Sequence, residues 1–172
     1  GAGEPVCQAV ERGLAQAQGD PAGGARTITG SGATAPARAA LVNATAAHAL
    51  DFDDTFDPAK AHASAVLVPA ILALVDVAGG SGEDCLDAYL AGLQIQGRIG
   101  QALNPVHRDR GWHGTSTTGP FGAAAAAARL LRLTGDQATN ALSLAASMAG
   151  GTAAQFGTMA KPLHAGLAAQ AV

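Results

Sequence analysis

The residues best suited to chemistry are concentrated between positions 43 and 62 of the chain. Four of its 13 acidic residues lie within seven positions there: Asp51, Asp53, Asp54 and Asp57. His48 precedes this acidic cluster and His62 follows it. Carboxylates this close repel one another and lose hydration free energy when buried, so a purely structural role is unfavourable. The pattern predicts a partner for the cluster: a cation, a histidine or a substrate.

Helical spacing predicts which residues of this cluster lie on the same face. If the helix expected over residues 35–55 persists to its end, Asp51, Asp54 and Thr55 share a face, because residues three or four apart are neighbours. His62 comes just before a second predicted helix, where the helix dipole disfavours imidazolium. A carboxylate beside a neutral imidazole is a general-base arrangement. The alternative is an acidic helix end followed by a capping histidine.

A second candidate site is the hydroxyl-rich segment 115–119, which includes Thr115 and Thr117 and is predicted to open a helix. Hydroxyls and free backbone amides at a helix N-terminus can bind a carboxylate or phosphate. His113 lies two residues before Thr115 and could donate to the same anion. The alternative is N-capping alone. Nearby arginines favour the anion site.

Lys161 and His164 form the third candidate group, since they are three residues apart and share a helix face. Lys161 is one of only two lysines in the chain. A cation in a largely apolar helix needs a partner, and the region of Asp51 and Asp54 is the natural one. Lys161 would then hold a substrate carboxylate. The alternative is a lysine at a helix start that points into solvent.

Together these groups suit proton abstraction next to a carboxylate, followed by loss of a leaving group. The sequence has no Cys/His metal spacing and no phosphate-binding glycine loop, so we predict neither a metal nor another cofactor. Residues 53–57 do match DDxxD, the magnesium-diphosphate motif of helical prenyl and terpene synthases. Such sites need a second acidic cluster and an aromatic-lined cavity, whereas only 3% of the residues in the whole chain are aromatic.

Composition predicts an all-α domain. The chain has 172 residues, of which 48% are hydrophobic, and its many alanines favour helices that pack closely. About six helices are expected: residues 35–55, 63–77 (with a kink or break at Pro69), 81–103, 115–133, 136–148 and 161 onward, besides a short one within 1–18. Strand signals are almost absent.

The same numbers exclude several partners. A net charge of −3 offers no surface for a polyanion, and the few aromatic residues cannot form a base-stacking platform, so nucleic acid is not expected. The longest apolar run, residues 63–75, is interrupted and too short to span a bilayer, so no membrane partner is expected either. With two distant cysteines and no signal-peptide pattern, we predict a cytoplasmic protein.

These segments resemble the MmgE/PrpD family, whose members include 2-methylcitrate dehydratases and cis-aconitate decarboxylases. The matching segments are NATAAHALDFDDT at 43–55, residues 62–64, 102–108, 111–113 and 115–123, and GTMAKPLHAG at 157–166. They occur in the family's order and cover most of the chain. The spacing of residues 104–113 is more similar to bacterial dehydratase-type members than to animal decarboxylases.

The resemblance implies that residues 1–172 are part of the all-helical domain of a two-domain enzyme, whose α/β lid is not in this chain. It implies a cofactor-independent lyase acting on small di- or tricarboxylates, and a homodimer formed through the helical domain. The site would contain Asp51, Thr55, His62, His113 and Lys161, with His164 close by. Dehydration of a 2-methylcitrate-like hydroxy acid is the leading reaction. Decarboxylation, epimerisation and a non-catalytic helical assembly module are the alternatives.

Overall fold

The computed structural model describes residues 1–16, 23–30 and 32–171. In these ranges the chain forms eight α-helices and a two-stranded antiparallel sheet. The helices are α1 (Pro5–Gln16), α2 (Pro36–His48), α3 (Ser64–Ala78), α4 (Gly82–Leu103), α5 (Val106–Asp109), α6 (Gly114–Leu130), α7 (Gly135–Met148) and α8 (Ala160–Ala169); the strands are β1 (Ala25–Arg26) and β2 (Ala33–Thr34). Short 3-10 turns cover Asp57–Ala59 and Ala153–Gln155. The predicted all-α class is confirmed, with more helices than the six expected; positions 17 and 18 of the first predicted helix lie outside the described residues.

Local sequence explains most helix boundaries. Ser81 and Asp84 cap α4 reciprocally, each side chain accepting from the other's backbone N–H, and Thr134 and Gln137 do the same for α7. Pro69 lies inside α3, where a kink or break was predicted, yet Ser64–Ala78 forms one helix. Proline removes only one backbone hydrogen bond, and burial of the surrounding residues stabilises the helix on both sides.

The end of α2 differs from the prediction. The helix stops at His48 rather than at Thr55, and Asp51 adopts a left-handed backbone conformation with φ of 53°. Aspartate tolerates this conformation and competes with helical hydrogen bonding through its side chain. The predicted helical face shared by Asp51, Asp54 and Thr55 is therefore wrong, and these residues lie in a loop between α2 and α3.

Small side chains allow the helices to pack at short distances. Buried alanines dominate the central core: Ala39, Ala40, Ala44, Ala65, Ala70, Ala73, Ala123, Ala165 and Ala168. At the crossing of α4 and α6, a Cβ on Gly92 would lie 2.7 Å from the carbonyl oxygen of Gly122. Helix α8 packs in this way against both α2 and α6, so the end of α2 and the beginnings of α6 and α8 lie together.

The apolar content of these helices is that of a packed core. In the described ranges, no helix combines the length and hydropathy needed to cross a bilayer.

The contact between α2 and α8 predicts a strong effect of Gly166→Ala. The new Cβ would lie 2.6 Å from the carbonyl oxygen of Leu41 and even closer to the Thr45 hydroxyl. We expect the free energy of unfolding to fall by about 1–3 kcal/mol, because the packed backbone of α2 cannot move aside cheaply. Urea denaturation measures this change.

Gly135→Ala is the matched control, because a Cβ there meets open space at the start of α7. We expect it to leave the free energy of unfolding unchanged or to raise it by about 0.5–1 kcal/mol. Equal destabilisation by both substitutions would contradict the close-packing explanation.

Candidate active site

Four parts of the fold bring polar side chains together. His48 is the last residue of α2, and the loop that follows contains Asp51, Asp53 and His62. His113 occupies the N-cap position of α6. The first turns of α8 contain Lys161 and His164. His48, His113 and His164 are buried. The ring of His48 is 4.6 Å from that of His62 and 6.2 Å from that of His113, measured between centroids. Four of the chain's five histidines thus form one cluster.

The predicted partner of Lys161 is present. Its Nζ donates to Oδ1 of Asp51 at 2.5 Å, across 110 residues of sequence, and lies 5.4 Å from the ring centroid of Phe156. The hydrogen bond from Lys161 lowers the pKa of Asp51 below its usual value. The same carboxylate oxygen is 3.6 Å from Nε2 of His62. A cation, a carboxylate and an imidazole therefore meet at one point.

His62 lies between two carboxylates. Nδ1 of His62 is 3.4 Å from Oδ2 of Asp53, on the side of the ring opposite to Asp51. The same Asp53 oxygen is 2.9 Å from Nδ1 of His48. Burial pushes the pKa of Asp53 upward, but the hydrogen bond from His48 and the nearby imidazoles outweigh burial, so this pKa is lowered. Two carboxylate groups therefore contact His62 from opposite sides of its ring.

The sequence placed His48 and Asp53 in the polar segment, and Asp53 in the DDxxD match, but indicated no contact between the two. The helix expected through position 55 put Asp51 and Asp54 on one face instead. Asp54 instead accepts a hydrogen bond from the backbone N–H of Ser64 at 2.9 Å, at the start of α3. No spacing in the sequence identifies this pair, because His48 and Asp53 are five residues apart, out of helical register, and meet only where the chain turns after α2.

His113 and His164 form a buried pair. Their Nδ1 atoms are 3.0 Å apart, so one ring donates and the other accepts. Burial, together with the nearby His164, His48 and Lys161, lowers the pKa of His113 to about 3, and burial also lowers the pKa of His164. Both rings are therefore neutral near pH 7, so the His113 ring offers one hydrogen-bond donor and one acceptor.

Thr115 and Thr117, which were predicted to bind an anion, contact the backbone of His62 and His113. The Thr115 hydroxyl accepts from the backbone N–H of His62 at 3.0 Å, and the Thr117 hydroxyl donates to the carbonyl oxygen of His113 and contacts Nε2 of His107 at 2.7 Å. Both threonines are buried. Their hydroxyls thus hold His62 and His113 in place, instead of forming the open anion site that was expected.

Thr55 is the predicted site residue that the structure leaves apart. It is exposed on the loop between α2 and α3. In the described ranges, no hydrogen bond joins its hydroxyl to the histidine cluster. Asp51, His62, His113, Lys161 and His164 are brought together through the contacts above, with His48 between His62 and His113.

Four of these side chains also have the chemistry of metal ligands. One ligand atom each from His48, Asp51, Asp53 and His62 lie within 4.8 Å of one another, although the sequence contains no metal-binding spacing. Imidazole nitrogens and carboxylate oxygens are donors that a zinc ion accepts. Lys161 already neutralises Asp51 at 2.5 Å, and its ammonium group would repel a cation bound there.

Two hollows each include one residue of the cluster. One of about 370 Å³ is lined by Asp53 and by apolar residues of α3 such as Val68 and Leu72. Another of about 280 Å³ is lined by His164, Ser116 and residues near the end of α7.

The neutrality of His113 predicts its response to acid. Since its folded-state pKa is about 3 and its unfolded value about 6.5, the unfolded chain binds more protons between these values. The contribution of His113 to stability is therefore complete above pH 6.5 and falls as the pH falls toward 3. NMR titration of the His113 ring should show no protonation from pH 8 down to pH 5. A midpoint near 6.5 would contradict its burial as a neutral base.

The chain matches one family model and several curated proteins. A sequence model of the MmgE/PrpD N-terminal domain matches residues 1–172. Cis-aconitate decarboxylase of Homo sapiens is 38% identical over 140 residues, which cover 78% of this chain and 29% of that protein. The cis-aconitate decarboxylase-like protein oryM of Aspergillus oryzae is 34% identical over 144 residues, covering 78% and 30%.

The cis-aconitate decarboxylase of Aspergillus terreus is 31% identical over 158 residues, covering 88% of this chain and 32% of that protein. The chain thus spans about a third or less of the length of these curated relatives. The match to the family model extends from the first residue to the last. It agrees with the helical fold and with the order of the segments that carry the polar cluster. The chain belongs to the MmgE/PrpD family.

Proposed function

We propose that the protein containing this chain is a lyase that acts on small di- or tricarboxylates by acid–base catalysis, without a metal or an organic cofactor. The observation that carries this proposal is the meeting of Lys161, Asp51 and His62, with contacts of 2.5 and 3.6 Å. A cation that can bind a substrate carboxylate lies there beside an imidazole that can move a proton. Stability alone does not explain the cluster, since paired charges near a core are rarely a source of stability.

Each cluster residue has a task in this proposal. Lys161 binds a substrate carboxylate, and Asp51 holds the lysine in place. His62 takes or gives a proton, because its ring lies between Asp51 and Asp53 with Nε2 on the side of the lysine. His113, neutral at physiological pH, acts as the second proton-transfer group or donates to the substrate, with His164 fixing its orientation.

Two reactions fit these tasks. In decarboxylation, the carbon–carbon bond to one carboxylate breaks, carbon dioxide leaves, and a proton is added to the remaining carbon framework. In dehydration, a proton leaves the carbon next to a carboxylate and the hydroxyl group leaves as water. The names of the relatives support decarboxylation of a cis-aconitate-like substrate. The spacing of residues 104–113 supports dehydration of a 2-methylcitrate-like hydroxy acid.

The proposal is tested by assaying the full-length protein against cis-aconitate, 2-methylcitrate and related polycarboxylates. Release of carbon dioxide reports decarboxylation, and absorbance of a new double bond reports dehydration. We expect turnover of at least one substrate, unchanged after dialysis against EDTA. Turnover that disappears on chelation and returns with zinc would contradict the cofactor-free mechanism, and no turnover of any polycarboxylate would contradict the proposed function.

His113→Asn is expected to reduce kcat by about 10²–10⁴-fold, the usual range for loss of a proton-transfer group. The asparagine amide can replace Nδ1 in the contact with His164, so the fold should be kept, whereas Nε2 is lost. The measurement is steady-state kinetics with the preferred substrate, together with the thermal unfolding midpoint.

His107→Asn is the matched control, since it removes the histidine that stacks on Trp112 outside the cluster. It should retain most of the turnover. Wild-type turnover in His113→Asn would remove His113 from the mechanism.

A further inference from the structure

We infer that Asp53, held by the buried His48, is a positioning residue that places the proton of neutral His62 on Nδ1 and thereby makes Nε2 the reacting atom. The inference rests on the proposed function, because it gives a task to two residues beside the same site. Neither residue is needed for substrate contact in the proposal above. Their arrangement is explained by what they do to His62.

His48 and Asp53 form a hydrogen-bonded pair. Nδ1 of His48 lies 2.9 and 3.1 Å from the two carboxylate oxygens of Asp53. The pKa of Asp53 is lowered, so the carboxylate is ionised and can only accept. The proton of His48 is therefore on Nδ1. A proton on Nε2 would instead leave a buried N–H donor without an acceptor, since Nε2 has no partner among the described residues.

His62 faces the same carboxylate. Its Nδ1 is buried, lies 3.4 Å from the Asp53 oxygen that His48 also contacts, and makes no hydrogen bond among the described residues. The interaction is a charge contact at ion-pair distance and not a hydrogen bond. With a proton on Nδ1 the contact is attractive, and with a lone pair there it would set two acceptors against each other in a poorly hydrated place.

The carboxylate of Asp51 competes with that of Asp53 for the proton of His62. Asp51 lies 3.6 Å from Nε2 and attracts the proton to the opposite side of the ring. Its charge is already engaged by Lys161, and its side chain is 56% exposed, whereas the Asp53 side chain is 11% exposed. Solvent therefore screens Asp51 more strongly. Asp53 is also the nearer of the two, so it decides the tautomer.

The consequence is a defined direction for proton transfer. The lone pair of neutral His62 is on Nε2, on the side of the ring where Lys161 would hold a substrate carboxylate. When Nε2 takes up a proton, the carboxylate of Asp53 stabilises the resulting imidazolium from the Nδ1 side of the ring. His48 prevents Asp53 from turning away, because its own ring is packed at the end of α2.

The test is NMR of the full-length protein labelled with ¹⁵N-histidine at about pH 7.5, where two-bond ¹H–¹⁵N correlations distinguish the two tautomers. The His62 and His48 signals are assigned from the variants His62→Gln and His48→Gln. In the wild-type protein we expect both rings to carry the proton on Nδ1. This measurement needs no substitution at Asp53, so it holds even if that variant does not fold.

Asp53→Asn should shift His62 toward the form protonated on Nε2 and lower kcat by about tenfold to a hundredfold, with KM changed less than about threefold. Asp57→Asn is the matched control, because it makes the same charge change in the same loop on an exposed side chain paired with Lys60. We expect it to change neither the tautomer nor kcat.

A wild-type His62 that carries its proton on Nε2 would overturn the inference, and so would an Asp53→Asn protein with an unchanged tautomer. These outcomes are independent of the proposed function. If no polycarboxylate is turned over but the Nδ1 tautomer depends on Asp53, then the positioning contact stands and the proposed function fails.

Discussion

The ion pair between Asp51 and Lys161 is the interaction on which the arrangement of the site depends. It joins the loop after α2 to the first turn of α8 and gives the acidic loop a cation supplied by the protein itself. Without it, two carboxylates would flank His62 with no compensating charge, and their hydration would favour a loop that turns outward into water. With it, the loop lies against the histidines that α2, α6 and α8 contribute.

Close helix packing makes this pairing possible. Gly166 lies against the backbone of α2, and Gly119 lies against Ala168, so α8 approaches both α2 and α6. Larger residues at these positions would separate the helix ends that carry His48, His113 and His164. The abundance of glycine and alanine is thus related directly to the site: a core of small side chains allows several helix ends to share one polar centre.

Sequence reasoning predicted the all-α class and the contact of Lys161 with the acidic loop, because a cation in an apolar helix requires a partner. It could not predict that α2 ends at His48, since no glycine or proline follows before position 58 and the turn depends on the left-handed backbone of Asp51. For the same reason it missed the pairing of Asp53 with His48. It expected Thr115 and Thr117 to bind an anion, because free hydroxyls and hydroxyls engaged within the protein look identical in sequence.

The left-handed backbone at position 51 limits which residues this position can hold. That conformation is accessible to glycine, asparagine and aspartate, and strained for nearly all other residues. Of these three, only aspartate provides a negative charge for the lysine. Position 51 is therefore constrained twice, by shape and by charge: asparagine would preserve the bend while removing the anion, and glutamate would preserve the anion while straining the bend.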